Sequence, residues 1–363
     1  MIRDEKLGIY SVTALLITVI ITKALISTPS LYVKHSQSAG WLEVLISGLF
    51  EIVMLAVVLK LADSYKGCDI LDIAESCFGK VIMRILGVLS AIIFVLSTAV
   101  IFRSMAEMVR NTVMRGISYE TVMAFLLIAG IVAARMGLKT QINVTGLIFP
   151  VILITVAVIL VINYSRLSFT NIQPYLGTGF SNIINNALLK NASYFEIGLI
   201  LFFIPFLRSD KDVKIISFTS LSVSILVISV ITLLYQLSVP YKAAETFALP
   251  LYQMTRMLRA GTFFQRIEPL NLFLWGGAMF IYVGLGIYMT AYTFKRSFDL
   301  YDYKPLTISS GIIIALVSLI PGSETTVEKI FDFLMTYGYF IYPIAPLIIL
   351  IVAKMIKSSN RGV

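Results

Sequence analysis

The sequence predicts an all-α integral membrane protein, one polytopic membrane domain over residues 1–363 with about ten transmembrane helices. Three observations lead there. First, 58% of the residues are hydrophobic and only 13% charged, whereas soluble domains carry about 25% charge. Second, 58% of 363 residues is about 210 apolar residues, close to the roughly 200 that ten helices of about 20 residues consume. Third, these residues gather in runs of spanning length bounded by charge clusters, Pro and Gly. A typical water-soluble enzyme is excluded, and a disordered chain more firmly still.

The spans fall near residues 8–28, 42–62, 81–107, 119–136, 142–164, 184–207, 215–238, 268–294, 306–321 and 330–353. The N-terminal MIRDEKLGIY mixes charges and runs into the first span without a small-residue cleavage site, so that span reads as a retained helix rather than a signal peptide. Ten spans put both termini on one side. The loops of that side carry about twice as many Lys and Arg as those of the other, which predicts that both termini are cytoplasmic. The net charge, 29 basic minus 20 acidic residues or +9, reads the same way: membrane lipid is the surrounding partner, and nucleic acid is not one. Two connections have helical character without spanning. Residues 69–78 alternate acidic and apolar positions and suit a short interfacial helix. Residues 241–264 mix aromatics, Met and Arg around Pro250 and suit helices on the outer face that cap a cavity.

Ionisable groups inside a membrane cost at least about 2.5 kcal/mol each on insertion scales, so each needs a partner or a water-filled cavity. Arg103 and Glu107 lie four residues apart on one face of the third span; they form a self-neutralised pair or contribute to a permeation path. Glu51 in the second span has two equal readings, a structural hydrogen bond inside the bundle and a conduction role. Lys23 and Glu196 are more informative because the backbone around them is interrupted. Lys23 precedes Ser27, Thr28 and Pro29, and Glu196 follows Asn191, Ala192 and Ser193 and precedes Gly198 and Pro205, with Lys190 nearer the span's end. Proline removes a backbone donor, and small polar residues permit a local break whose freed backbone groups face a cavity. Interrupted first and sixth helices point to a transporter-type site at the midplane; simple proline kinks are the other reading.

Cys68 and Cys77 share one short polar segment and, with the single His35, make neither a disulfide framework nor a metal-ligand set. There is no Gly-rich phosphate loop and no triad. No enzyme, no metal and no cofactor is expected; binding or permeation is the remaining class.

Several stretches, in order along nearly the whole chain, carry a resemblance: GWLEVLISG (40–48) after the Pro29 segment, AESCFGK (74–80), FRSMAEMVR (102–110), NIQPYLGTGF (171–180), LFFIPFLRSDK (201–211) and FFQRIEPLNLFLW (263–275). The chain resembles the B subunit of GerA-type spore germinant receptors, distant relatives of amino acid/polyamine/organocation transporters. The resemblance implies a LeuT/APC-like inverted-repeat bundle with helices 1 and 6 broken at mid-membrane. It implies a protein of the spore inner membrane that senses a small-molecule nutrient germinant such as an amino acid. The implied partners are a receptor A subunit and a C-subunit lipoprotein, and ligand binding is followed by ion release. An amino-acid transporter of the same superfamily, or an ion or water conduit within the receptor, is the alternative.

The implied ligand pocket falls on Thr22, Lys23 and Ala24 in span 1, Ile93 and Ser97 in span 3, Phe195, Glu196 and Ile197 in span 6, and Tyr282 and Gly286 in span 8. Relatives carry small, glycine-rich residues at the first break where this chain reads Thr-Lys-Ala. Because helices 1 and 6 are neighbours in the implied fold, Lys23 and Glu196 are expected to face each other, pairing when the site is empty or separately holding the carboxylate and amine of a zwitterion. Arg266 and Glu268, in the QRIE stretch, are expected to anchor the start of span 8 at the headgroups.

Overall fold

A computed structural model of the chain describes residues 6–24, 26, 28–112, 116–164, 167–189, 193–247, 249–256, 268–341 and 344–359. Among these residues all regular structure is helical. In order the helices are α1 (Ile9–Ala24), α2 (Thr28–Ser36), α3 (Gly40–Ala62), α4 (Ile70–Thr112), α5 (Tyr119–Met136), α6 (Leu138–Asn163), α7 (Phe180–Leu189), α8 (Ile200–Phe203), α9 (Asp210–Ser238), α10 (Tyr241–Ala244), α11 (Pro250–Arg256), α12 (Glu268–Ser297), α13 (Lys304–Leu319), α14 (Glu324–Ile341) and α15 (Ile344–Ser359). Tight 3₁₀ turns at Phe195–Leu199 and Ile204–Phe206 flank α8. Six helical stretches among the described residues are long and apolar enough to cross a membrane: Thr28–Ala62, Ile70–Thr112, Tyr119–Met136, Leu138–Asn163, Asp210–Ser238 and Trp275–Ser297. Shorter apolar helices run over Ile9–Lys23, Phe195–Phe206, Lys304–Leu319 and Ile344–Ile356.

Local chemistry sets several boundaries. Ser118 caps α5 by accepting from the Thr121 N–H, and Ser209 caps α9 by accepting from the Asp212 N–H, with Asp210 and Asp212 favouring the positive end of the dipole. Gly137, at φ 89°, turns the chain from α5 into α6. Gly79, at φ 81°, breaks α4 so that residues 70–78 form a separate arm. Asp69 and Asp72 cap that arm reciprocally, each carboxylate accepting from the other's backbone N–H at 2.7 and 3.1 Å. Arg296 at the end of α12 holds Asp72 at 2.5 Å, fastening the arm to the bundle. The stretch 330–353 read as one span takes in the end of α14 and the first half of α15. In the 241–264 stretch, α10 and α11 are short helices. Residues 257–267, Lys190, Asn191 and Ala192 lie outside the described residues, as does the side chain of Glu268.

The burial pattern sorts the helices by layer. Along α1, residues 14–22 are at most 2% exposed, so this helix is enclosed on all sides, as is α12 from Ile281 to Ala291. In contrast α5 and α6 present Phe125, Ile128, Leu147 and Val161 at 63–79% exposure, an apolar exterior suited to lipid. Small residues let the inner helices approach closely. A Cβ on Gly286 of α12 would collide with the Thr98 side chain of α4, and one on Gly48 of α3 would strike Ile225 of α9.

Both interrupted helices are visible in the backbone. α1 has 16 residues and is therefore about 24 Å long, short of the ~30 Å hydrocarbon core. The chain continues in α2 from Thr28, and between the two helices Ile26 N–H bonds the Lys23 carbonyl in a turn. On the other side, α7 stops at Leu189 and the chain re-enters as the tight turn Phe195–Leu199 before α8.

Candidate functional site

The two breaks meet. Lys23, on the last turn of α1, places Nζ 2.7 Å from Glu196 Oε2, and both side chains are at most 3% exposed. The ammonium also lies 3.7 Å from the centre of the Phe195 ring, which adds a cation–π attraction in a dry setting. Tyr282 of α12 donates its hydroxyl proton to the other carboxylate oxygen, Oε1, at 3.2 Å. The Tyr32 and Ser193 hydroxyls bond at 2.6 Å and tie α2 directly to the break before Phe195. Paired charges, an aromatic face and a phenol thus replace the water that an isolated Lys and Glu would need.

A cavity of about 480 Å³ opens beside this cluster. Ile93, Ser97, Phe195, Glu196, Tyr282 and Gly286, all expected at the pocket, line it. Among the described residues its polar side chains are Glu196, Tyr282, Thr98, Ser97 and Ser90; the two serines donate to carbonyls one turn back on their own helix. Thr98 is 1% exposed, and its hydroxyl has no hydrogen-bond partner among the described residues. The remaining wall is apolar, including Phe94, Leu199, Phe202, Leu285 and Met289.

The other expected residues lie around the cavity rather than on it. Lys23 reaches a small adjoining void that shares Ser97, Phe195 and Tyr282 with the main cavity. Ile197 lines a second small void together with Glu51 and Phe195. Thr22 faces α12: its hydroxyl donates to the Thr18 carbonyl at 2.7 Å, with the Ala278 carbonyl 3.5 Å away. Ala24 ends α1, and its side chain is outside the described residues. Phe195 therefore stands as a common wall between the voids next to Lys23, Glu51 and Glu196. Arg103 and Glu107 are apart from this cluster and pair with each other at 2.5 Å, the guanidinium lying 4.0 Å over the Tyr119 ring.

Several contributors carried no sequence signal. Phe94, Leu199, Phe202, Leu285 and Met289 are apolar residues within apolar spans, and Thr98 is one of many threonines whose hydroxyl a helix normally absorbs. Glu43, wholly buried near the start of α3, accepts from Ser36 Oγ at 2.5 Å and sits 3.3 Å from His35 Nδ1. Its eight-residue spacing from His35 gave no hint of contact, because the turn between α2 and α3 makes it.

Comparison with known proteins agrees with this architecture. The family described as spore germination protein, the spore permeases, matches residues 6–327. Spore germination protein YndE of Bacillus subtilis is 21% identical, covering 98% of this chain and 99% of its own. Spore germination protein A2 of the same organism is 20% identical, covering 91% and 90%. Spore germination protein B2, also from Bacillus subtilis, is 21% identical, covering 75% and 73%. Among solved structures, a Na+-coupled sialic acid symporter in a substrate-bound outward-open state superposes with a TM-score of 0.68 at 12% identity, covering 96% of this chain and 88% of that one. That likeness gives the fold, the LeuT/APC-type bundle whose first and sixth helices are interrupted. A profile match over most of the length, three relatives and a transporter architecture converge: the chain belongs to the spore germination protein family and is a non-enzymatic, multi-pass membrane protein.

Proposed function

We propose that this protein is the germinant-sensing B subunit of a spore germinant receptor, binding a small zwitterion such as an amino acid where helices 1 and 6 are interrupted. The observation that carries the reading is the buried Lys23–Glu196 pair beside a 480 Å³ cavity. An incoming amine competes for Glu196 while the ligand carboxylate takes Lys23. Separating the pair in this way exchanges one set of opposite-charge contacts for two, without stranding either charge. Phe195, packed against the ammonium and shared by all three voids, moves with it, and ligand binding shifts the two half-helices through their differential contacts. The assembly includes an A subunit and a lipoprotein C subunit in the spore inner membrane, both termini face the cytoplasm, and ion release follows binding.

A second reading, secondary transport of an amino acid, is favoured by the likeness of the fold to a symporter. Deleting the chain separates the two. Loss of the germination response with vegetative amino-acid uptake intact supports the receptor; uptake by the purified chain in proteoliposomes supports the transporter.

A further inference from the structure

We infer that the ligand is a zwitterion with a large apolar side chain, of the leucine or phenylalanine class, rather than a small amino acid such as glycine or alanine. The inference rests on the reading of the Lys23–Glu196 region as the ligand site and adds the substrate class. The cavity lining is mostly apolar; its polar side chains among the described residues are Glu196, Tyr282, Thr98, Ser97 and Ser90, and the two serines donate to carbonyls of their own helix. Tyr282 is hydrogen-bonded to Glu196 at the ion pair, and the Thr98 hydroxyl, against Gly286, has no partner among the described residues. The rest of the lining is apolar and includes Phe94, Leu199, Phe202, Leu285 and Met289, with Ile70 and Leu71 of the arm.

A volume of about 480 Å³ lies in the usual range of small-molecule sites, ~300–1,000 Å³. The charged head of an amino acid occupies only the end near Glu196. Glycine or alanine leaves the apolar end with no atoms on the ligand side, and the lining loses those dispersion contacts. A branched or aromatic side chain fills it. Each methylene moved from water into such a wall tightens binding about fourfold, so leucine, three carbons larger than alanine, should bind roughly sixty-fold tighter. Among the described residues the same wall offers a polar or charged side chain only Ser90 and Ser97, whose protons are already donated to carbonyls of their own helix, so such a side chain would enter with most of its hydrogen bonds unmet.

The test is calorimetric titration of the full chain in lipid nanodiscs with glycine, L-alanine, L-leucine and L-phenylalanine, and with isoamylamine and 4-methylpentanoic acid as analogues lacking one charge of the zwitterion. The expected result is that L-leucine or L-phenylalanine binds at least tenfold tighter than L-alanine, and that each single-charge analogue is weaker. Equal or tighter binding of L-alanine or glycine overturns the side-chain class while leaving the site reading standing. Absence of binding by all the amino acids overturns the site reading and the inference with it. Ile93→Trp, at a half-buried position on the cavity wall, supplies an independent check. It should weaken L-phenylalanine at least tenfold relative to wild type, and unchanged L-phenylalanine binding in a variant with wild-type thermal unfolding contradicts the proposal.

Discussion

Lys23 and Glu196 illustrate why charge in an apolar chain is informative at the residue scale. With ionisation inside a membrane so costly, both stood out in the sequence as residues needing a partner, and each is the other's partner at 2.7 Å. Removing one member of a buried pair typically costs about 3–5 kcal/mol, because the survivor is left uncompensated. Lys23→Met and Glu196→Gln should each lower thermal stability in detergent by an amount of that order, and the double variant should recover most of the loss. Additive losses in the double-mutant cycle would mean that the two charges are not coupled. The apolar wall was illegible for the opposite reason: Phe202 or Met289 looks like any other residue of a buried span, and only packing shows which ones face a void.

At the scale of elements, the interruptions in helices 1 and 6 could be read from Pro29, Ser193, Gly198 and Pro205, since proline and small polar residues weaken a helix wherever they fall. The contact between α4 and α12 could not, because Gly286 and Thr98 are distant in sequence and either is ordinary alone. Gly286→Val should force α12 away from Thr98 and cost about 1–3 kcal/mol. Gly276→Ala on the same helix, where an added Cβ meets nothing within 4 Å among the described residues, should leave stability unchanged or raise it by up to about 1 kcal/mol. Paired thermal unfolding measurements distinguish the two positions, and equal effects would contradict the close-packing role of Gly286. The 70–78 arm depends on Arg296 holding Asp72 and on Tyr292 donating to Asp69 at 3.3 Å. Arg296→Gln should therefore speed amide hydrogen exchange in the arm more than in α12. Equal protection in variant and wild type would show that other contacts hold it.

For the whole molecule, composition and apolar run length conveyed a polytopic helical bundle directly, because a lipid environment demands helices long enough to satisfy every backbone group internally. The stretch 330–353 shows the limit of that reading. Apolarity continues across the end of α14 and the start of α15, so hydropathy alone could not locate the boundary. The mutual placement of the two interrupted helices came from a resemblance rather than from periodicity, since packing partners leave no periodic trace. Orientation can be tested with the native thiols. Cys68 and Cys77 are thiols outside any disulfide, both partly exposed, at the two ends of the arm between α3 and the body of α4. A membrane-impermeant maleimide should label them in inverted vesicles and leave them unlabelled in right-side-out ones; the reverse pattern would invert the topology.

The central claim is that the Lys23–Glu196 pair at the meeting of the two breaks is the ligand-sensing element. Its most direct test is the germination response of spores carrying Lys23→Met or Glu196→Gln to a panel of amino acids, with membrane abundance of each variant checked in parallel. Loss of at least 90% of the response per unit of protein in the membrane, or an altered amino-acid preference, is the expected result. A wild-type response from both variants would contradict the claim.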